Sequence, residues 1–193
     1  VFSSDLDLRL EDNTGLFHAL RLSDSVLPCF IFDKNQIDQS KNEYFSHNCV
    51  QFMIESLKDL NKKLNILQSR LFFFHGEIEP IIKEIIEIAK PQAVFVNEDV
   101  TPYSIQRDHI IAKVCDENNI KFYSFEDIML LPKDKVLLGN GSFYQKFTPY
   151  FRNCQRFTIP KPEKNTFTNF FSAKDNFKNE YPFDDIDKFY ISN

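Results

Sequence analysis

Apolar positions along this chain follow two alternating spacings. Residues 26–32 (VLPCFIF), 71–74 and 93–96 are short, nearly unbroken apolar runs, and residues 121–124 read as a further strand. Such runs are expected of strands covered on both faces. Between them, apolar residues recur every three or four positions. Residues 48–67 carry Val50, Met53, Ile54, Leu57, Leu60, Leu64 and Leu67 at helical spacing. Residues 13–22, 78–90 and 103–118 read as further helices; Pro91 closes the third and an Asn118-Asn119 pair the fourth. Residues 1–4 form a short apolar start, taken as the first strand.

Strand and helix alternate to about residue 125, which predicts an α/β fold. The expected form is a doubly wound, five-stranded parallel sheet, Rossmann-like, with helices on both faces. Ligands of such sheets sit beyond the carboxyl ends of the strands. That rule singles out the loops at 5–13, 33–45, 75–79 and 97–102. After residue 125 the pattern breaks down. A Gly139-Asn140-Gly141 turn suggests a hairpin, and the stretch that follows holds prolines and phenylalanines without periodicity. The expected organisation is an α/β domain over 1–130, a closing hairpin over 131–157 and an extended linker over 158–193. Six phenylalanines in the linker (Phe167, Phe170, Phe171, Phe177, Phe183, Phe189) are too many for a solvated tail, so it should pack on this domain or on a partner.

Composition narrows the chemistry. Phe is abundant at 22 residues and Trp is absent. The formal charge of −5 supplies no global field for holding nucleic acid. Cys29, Cys49, Cys115 and Cys154 are widely spaced, which argues against a zinc site. The four histidines share no spacing with Ser or Cys, so no triad is suggested and no catalytic residue is expected. Four glycines exclude a glycine-rich phosphate cradle. No apolar run reaches the roughly 18 residues of a membrane span. No secretory signal is evident at the start, so a cytoplasmic setting, or a nuclear one in a eukaryote, is expected.

Three stretches resemble the DNA photolyase/cryptochrome family. Asp7-Leu8-Arg9-Leu10-Glu11-Asp12-Asn13 with Leu16 is similar to its D-L-R-x-x-D-N-x-x-L block. Asn97, Thr101-Pro102-Tyr103 and Arg107-Asp108 look like its N-x-x-x-T-P-Y block and the R-D pair after it. Gly139, Gly141, Tyr144, Phe147-Thr148-Pro149-Tyr150 and Arg152 look like the block that closes its N-terminal domain. The resemblance spans about 150 residues in the family's order. Two departures stand out. Asp5 and Leu6 occupy the place of a basic pair, and Tyr103-Ser104 replaces the Asn-Glu pair of folate-binding members.

The resemblance implies the N-terminal, light-harvesting half of a deoxyribodipyrimidine photolyase, a flavoprotein lyase that repairs pyrimidine dimers in DNA with light. FAD and the damaged DNA would be held by a helical domain, encoded in the same gene or separately, so this chain alone would be inactive. Deazaflavin or FMN is expected as antenna chromophore ahead of folate. The implied antenna-binding residues are Asp7, Arg9, Phe32, Asp33, Ile37, Asp99 and Thr101. Structural readings stand beside these roles. Asp12 or Asn13 caps a helix while Arg9 pairs with a carboxylate; Phe32 packs in the core; Thr101 and Pro102 open a helix. Arg107 and Asp108 form an ion pair on the helix surface, worth little. Lys146, Arg152, Arg156, Lys161 and Lys164 make the hairpin and linker basic, for DNA backbone contact, for docking to the helical domain, or as a solvated surface. A cryptochrome-type photoreceptor and a stand-alone nucleotide-binding module are the alternatives.

Overall fold

The structure is a computed structural model that describes residues 7–171 and 177–191. Four strands form: β1 (Cys29–Asp33), β2 (Phe72–Gly76), β3 (Ala93–Asn97) and β4 (Lys121–Phe125). They coincide with four of the five expected runs. The fifth, residues 1–4, lies outside the described residues. The strands join as two parallel pairs rather than one five-stranded sheet. Cys29 lies opposite Phe72 through Asp33 opposite Gly76 in one pair, and Ala93 opposite Lys121 through Asn97 opposite Phe125 in the other.

The helices are α1 (Thr14–Leu22), a short α2 (Lys34–Ile37), α3 (His47–Ile66), α4 (Ile78–Ala89), α5 (Pro102–Glu117) and α6 (Phe147–Cys154). Successive strand residues point to opposite faces, so two cores result. Phe30, Phe32 and Phe73 meet Leu16 and Leu20 of α1 and Ile54, Leu57, Leu60 and Leu64 of α3. Cys29, Ile31, Phe72 and Phe74 meet Ile78, Ile81, Ile82 and Ile85 of α4 and Ile111 and Val114 of α5, with Val94 and Val96 of β3. Helices therefore cover both faces of the β1–β2 pair, in keeping with the α/β class the alternation predicts.

Local chemistry sets the helix ends. The Asn13 carboxamide accepts from the Leu16 amide at 2.9 Å, and the Thr101 hydroxyl caps α5 with Pro102 in its first turn. Helix α4 ends with Lys90 in the left-handed region (φ 47°), and Pro91 prevents its continuation.

The predicted hairpin over 131–157 is not there. Gly139–Gly141 makes a single tight turn, with the Leu138 amide donating to the Ser142 carbonyl at 2.9 Å. The glycine at 141, with φ 80°, supplies the left-handed residue that this turn needs. Residues 147–154 then coil into α6. Pro149 is tolerated because it falls in the helix's first turn, where its missing N–H has no helical partner to lose.

Beyond α6 the chain returns to the domain. The Phe171 amide donates to the Val26 carbonyl at 2.8 Å, and the Tyr181 amide to the Phe73 carbonyl at 2.7 Å. The second contact covers the outer edge of β2 with an antiparallel bridge between Phe74 and Glu180. A 3-10 helix, Phe183–Phe189, then buries Ile186 completely against α3. Among the described residues no helix is long and apolar enough to cross a membrane.

Candidate functional site

The carboxyl end of β1, the start of α4 after β2 and one face of α5 border a cavity of about 250 Å³, lined by Asp33, Asn35, Ile78, Tyr103, Gln106, Arg107 and Ile110. Each lining residue has a local reason for its place. Asp33 ends β1 and caps α2, accepting from the Asn35 amide at 2.9 Å. Ile78 opens α4 directly after β2. Tyr103, Gln106, Arg107 and Ile110 stand at three- and four-residue steps along α5, so one stripe of that helix forms the wall.

The polar groups of this cavity are fixed before any ligand arrives. The Tyr103 hydroxyl donates to Asp33 Oδ2 at 2.5 Å, which ties α5 to the end of β1. Burial first, and the Asp33 carboxylate second, hold the Tyr103 phenol well above its usual range, so it stays a protonated donor. Arg107, 5% exposed and so buried against the cavity rather than on the helix surface as expected, donates through Nε to Asp108 Oδ1 at 2.8 Å. Burial pushes the Asp108 carboxyl up, and the Arg107 guanidinium opposes that push. Asp99 receives the Ser104 hydroxyl at 2.9 Å and the Thr101 amide at 3.2 Å, which sets the first turn of α5.

A second polar knot lies beneath the first loop. Asp7, Asn13 and Asn97 are all buried. The Asn97 carboxamide donates to Asn13 Oδ1 at 2.9 Å and to Asp7 Oδ2 at 3.3 Å, and accepts from the Gly15 amide at 2.8 Å. Arg9 reaches Asp127 Oδ2 at 2.7 Å, and Asp127 Oδ1 accepts from the Thr14 amide at 2.8 Å. This network fixes the start of α1 against the end of β3.

The seven residues assigned from the family resemblance thus divide. Asp33 lines the cavity. Asp99 and Thr101 stand one turn away and shape the helix that forms its wall. Asp7 and Arg9 belong to the separate knot. Phe32, 1% exposed, points into the aromatic core against Phe73 and Phe189, and Ile37 packs on the same core. Asn35 and Ile78 fall in the loops at 33–45 and 75–79 that the strand-end rule singles out, though not among the seven; Gln106 and Ile110 lie outside those loops, and Tyr103 and Arg107 enter only through the family motifs. The spacing 103, 106, 107, 110 was the available signal, because it puts all four on the stripe that follows the N-x-x-x-T-P-Y block.

The DNA photolyase family profile matches residues 4–166. A deoxyribodipyrimidine photo-lyase of Synechococcus is 30% identical over 156 residues, 81% of this chain and 32% of that protein. Cryptochrome-1 of Drosophila melanogaster is 29% identical over 72% of this chain and 27% of its own. The chain therefore spans about a third of these relatives. Among solved structures, an archaeal photolyase from Sulfolobus tokodaii, described with two FAD molecules and a novel light-harvesting cofactor, superposes with a TM-score of 0.84. It is 37% identical over 99% of this chain and 41% of its own. A Synechocystis cryptochrome superposes with a TM-score of 0.78 at 16% identity, a likeness of fold. With the profile covering most of its length and the loop, helix and strand order in agreement, the chain belongs to the DNA photolyase family.

Proposed function

We propose that this chain is the N-terminal light-harvesting domain of a deoxyribodipyrimidine photolyase and that the cavity at the carboxyl edge of the strands holds a flavin-class pigment: FAD, FMN or a deazaflavin. The observation that carries this reading is the mixed lining of that cavity. Ile78 and Ile110 offer apolar contact for the faces of a planar ring. Asn35 and Gln106 offer carboxamides at the rim, suited to a ring edge that both donates and accepts. At about 250 Å³ the cavity is slightly below the ~300–1,000 Å³ of ordinary small-molecule sites, so it suits the ring system with the remainder of the ligand outside. The Sulfolobus tokodaii likeness supports the same class. Photolyase is preferred to cryptochrome because that structure is 37% identical to the chain, whereas the cryptochrome structure is 16% identical.

In this reading the bound pigment absorbs blue or near-ultraviolet light and passes the energy to a catalytic FAD in a helical domain, where the DNA lesion is split. The residues of this chain bind and orient. Tyr103, locked by Asp33, presents a fixed ring as a wall. Arg107 keeps positive charge beside the cavity while Asp108 balances it. No side chain here acts as acid, base or nucleophile, and without the helical domain the chain repairs nothing.

Absorption and fluorescence titration of the purified chain with FAD, FMN, a deazaflavin and a reduced folate tests the proposal. Saturable binding of one flavin-class pigment, abolished by Gln106→Trp, which fills the cavity, and weakened by Asp99→Ala, is the expected result. Saturation by the folate alone, or by none of the four, overturns it.

A further inference from the structure

The cavity at the end of β1 holds more chemistry than binding a ring requires. Trp is absent from the chain, which leaves tyrosine as its most readily oxidised aromatic side chain. Of the seven tyrosines, all among the described residues, only Tyr103 lines this cavity. Its hydroxyl donates to Asp33 Oδ2 at 2.5 Å, while Asp33 Oδ1 accepts from the Asn35 amide at 2.9 Å. A hydroxyl this close to a carboxylate makes a strong, charge-assisted bond. Asp33 is buried, so its carboxylate is held in place away from bulk water. Two other tyrosines show the contrast. The Tyr181 hydroxyl reaches the Asp185 carbonyl at 3.4 Å, and the Tyr190 hydroxyl meets Asp187 Oδ1 at 3.1 Å outside the cavity. A wall that only held a ring in place would be served as well by phenylalanine. Here the wall is a phenol with a proton acceptor already on its oxygen.

We infer that Tyr103 and Asp33 form a light-driven drain on the pigment: the phenol gives one electron to the photoexcited, oxidised flavin ring, and its proton passes to Asp33 Oδ2. The inference rests on the reading of this cavity as a flavin-class pigment site. Electrons and protons balance within the site. Tyr103 loses one electron to the ring. Its O–H bond breaks as an O–H bond forms on Asp33, which leaves a neutral phenoxyl radical beside a neutral carboxylic acid. In the dark the electron returns to Tyr103 and the proton to its oxygen, so nothing is consumed and the light is released as heat. Asp33 decides whether this happens. A phenol that lost an electron alone would be a cation in a wall that already carries Arg107. Moving the proton along the existing hydrogen bond removes that charge, and the acceptor is within direct reach. Passing energy to a helical domain uses neither group as acid or base. The drain is therefore a second fate of the excitation, open when no acceptor takes it.

Time-resolved fluorescence of FMN bound to the whole chain tests the drain, with equilibrium dialysis measuring how much FMN is held. FMN is the probe because it carries no adenine to quench its own ring. Every sample is saturated with FMN, so differences in affinity drop out of the lifetime. The bound lifetime should be shorter than that of free FMN by about tenfold or more, and Tyr103→Phe and Asp33→Asn should each restore most of it. Tyr190→Phe, outside the cavity, should leave it short. In the unsubstituted chain the lifetime should lengthen in deuterium oxide, and transient absorption should show a phenoxyl radical rising as the emission decays. Bound FMN that emits with the lifetime of free FMN overturns the drain. So does a short lifetime that is indifferent to deuterium oxide and gives no phenoxyl signal, or one that survives Tyr103→Phe. The first two results need no variant, so they decide the matter even if a substituted chain fails to fold. FMN that is not retained in dialysis overturns the drain as well. Retention without quenching removes the drain and leaves the pigment site standing, whereas retention of no pigment at all removes the site itself.

Discussion

Two phenylalanine-rich stretches follow β4, and they meet opposite fates. Residues 143–157 leave Phe143, Phe147 and Phe151 in solvent, whereas the stretch from Phe167 onward buries Phe170, Phe177 and Ile186. Composition does not separate them; backbone hydrogen bonding does. Where the later stretch lies extended, near residues 169–171 and 180–181, its N–H and C=O groups need partners. It finds them at the Val26 carbonyl and along the free edge of β2. Helix α6 satisfies its own backbone and can be attached only through side chains. An apolar segment with unsatisfied backbone is drawn onto its own domain, while one with a saturated backbone can wait for a partner.

The contrast breaks first at Ile186. It is fully buried between the 3-10 helix and α3, so Ile186→Ala should cost about 2–5 kcal/mol in urea unfolding. Phe147→Ala should stay within about 0.5 kcal/mol, the range of surface substitutions. Similar losses for both would mean that α6 is packed after all.

Gly15→Ala comes next. A Cβ there would stand 2.7 Å from Asn97 Oδ1 and 3.2 Å from the Val96 carbonyl oxygen. Something must shift at the start of α1, at a cost of about 1–3 kcal/mol. The loop before α1 also holds the later stretch, through the Asp12 amide on the Glu163 carbonyl at 2.8 Å. Hydrogen exchange should therefore rise around residues 163–170 and stay unchanged in α6. Arg70→Ala tests the same stretch farther along. Its guanidinium lies 3.9 Å over the Phe72 ring and pairs with Glu180, and its loss should cost about 1 kcal/mol. Faster exchange at residues 177–183 should accompany the loss.

The contrast also explains what was legible in the sequence. Strands β1 to β3 were readable because runs such as CFIFD and FFFHG are buried on both faces, and α3 and α4 because their apolar residues keep helical spacing; β4, half-exposed, was readable only from its place in the alternation. The hairpin was misread because Gly139–Gly141 is a genuine turn, and the turn alone does not say whether strands flank it. Helix α2 was missed because four residues carry no period. In the site, Asp33 was legible as a carboxylate at a strand's end. Phe32 was not, since strand position fixes its face only once the pleat is known, and that face is the core. Arg9 was legible as an ion-pair former, but its partner Asp127 lies 118 positions away, beyond any local pattern.

The smallest expected effect is the most selective. His75, at the end of β2, is held edge-on between Tyr181 and Phe189, with ring centroids 5.4 and 5.0 Å away. Burial, and then the Lys34 ammonium, push its pKa below the ordinary value. A histidine depressed in the folded state binds fewer protons there than when unfolded. Its contribution is complete above the unfolded pKa of about 6.5 and is lost as the pH falls from there toward the folded value. Residues 177–191 should loosen over that window, since Tyr181 and Phe189 would have to accept an imidazolium that Lys34 already repels. Hydrogen exchange at pH 7.5 and 5.5, corrected for intrinsic rates, should show reduced protection at the lower pH. In His75→Phe, whose ring carries no proton to gain, the difference should shrink. Exchange in α6 should be the same at both values in both proteins, because its aromatic face has no contact with His75. An α6 that loosened with the later stretch would mean that the two phenylalanine-rich stretches are one cooperative unit, contrary to the separation drawn from their backbones.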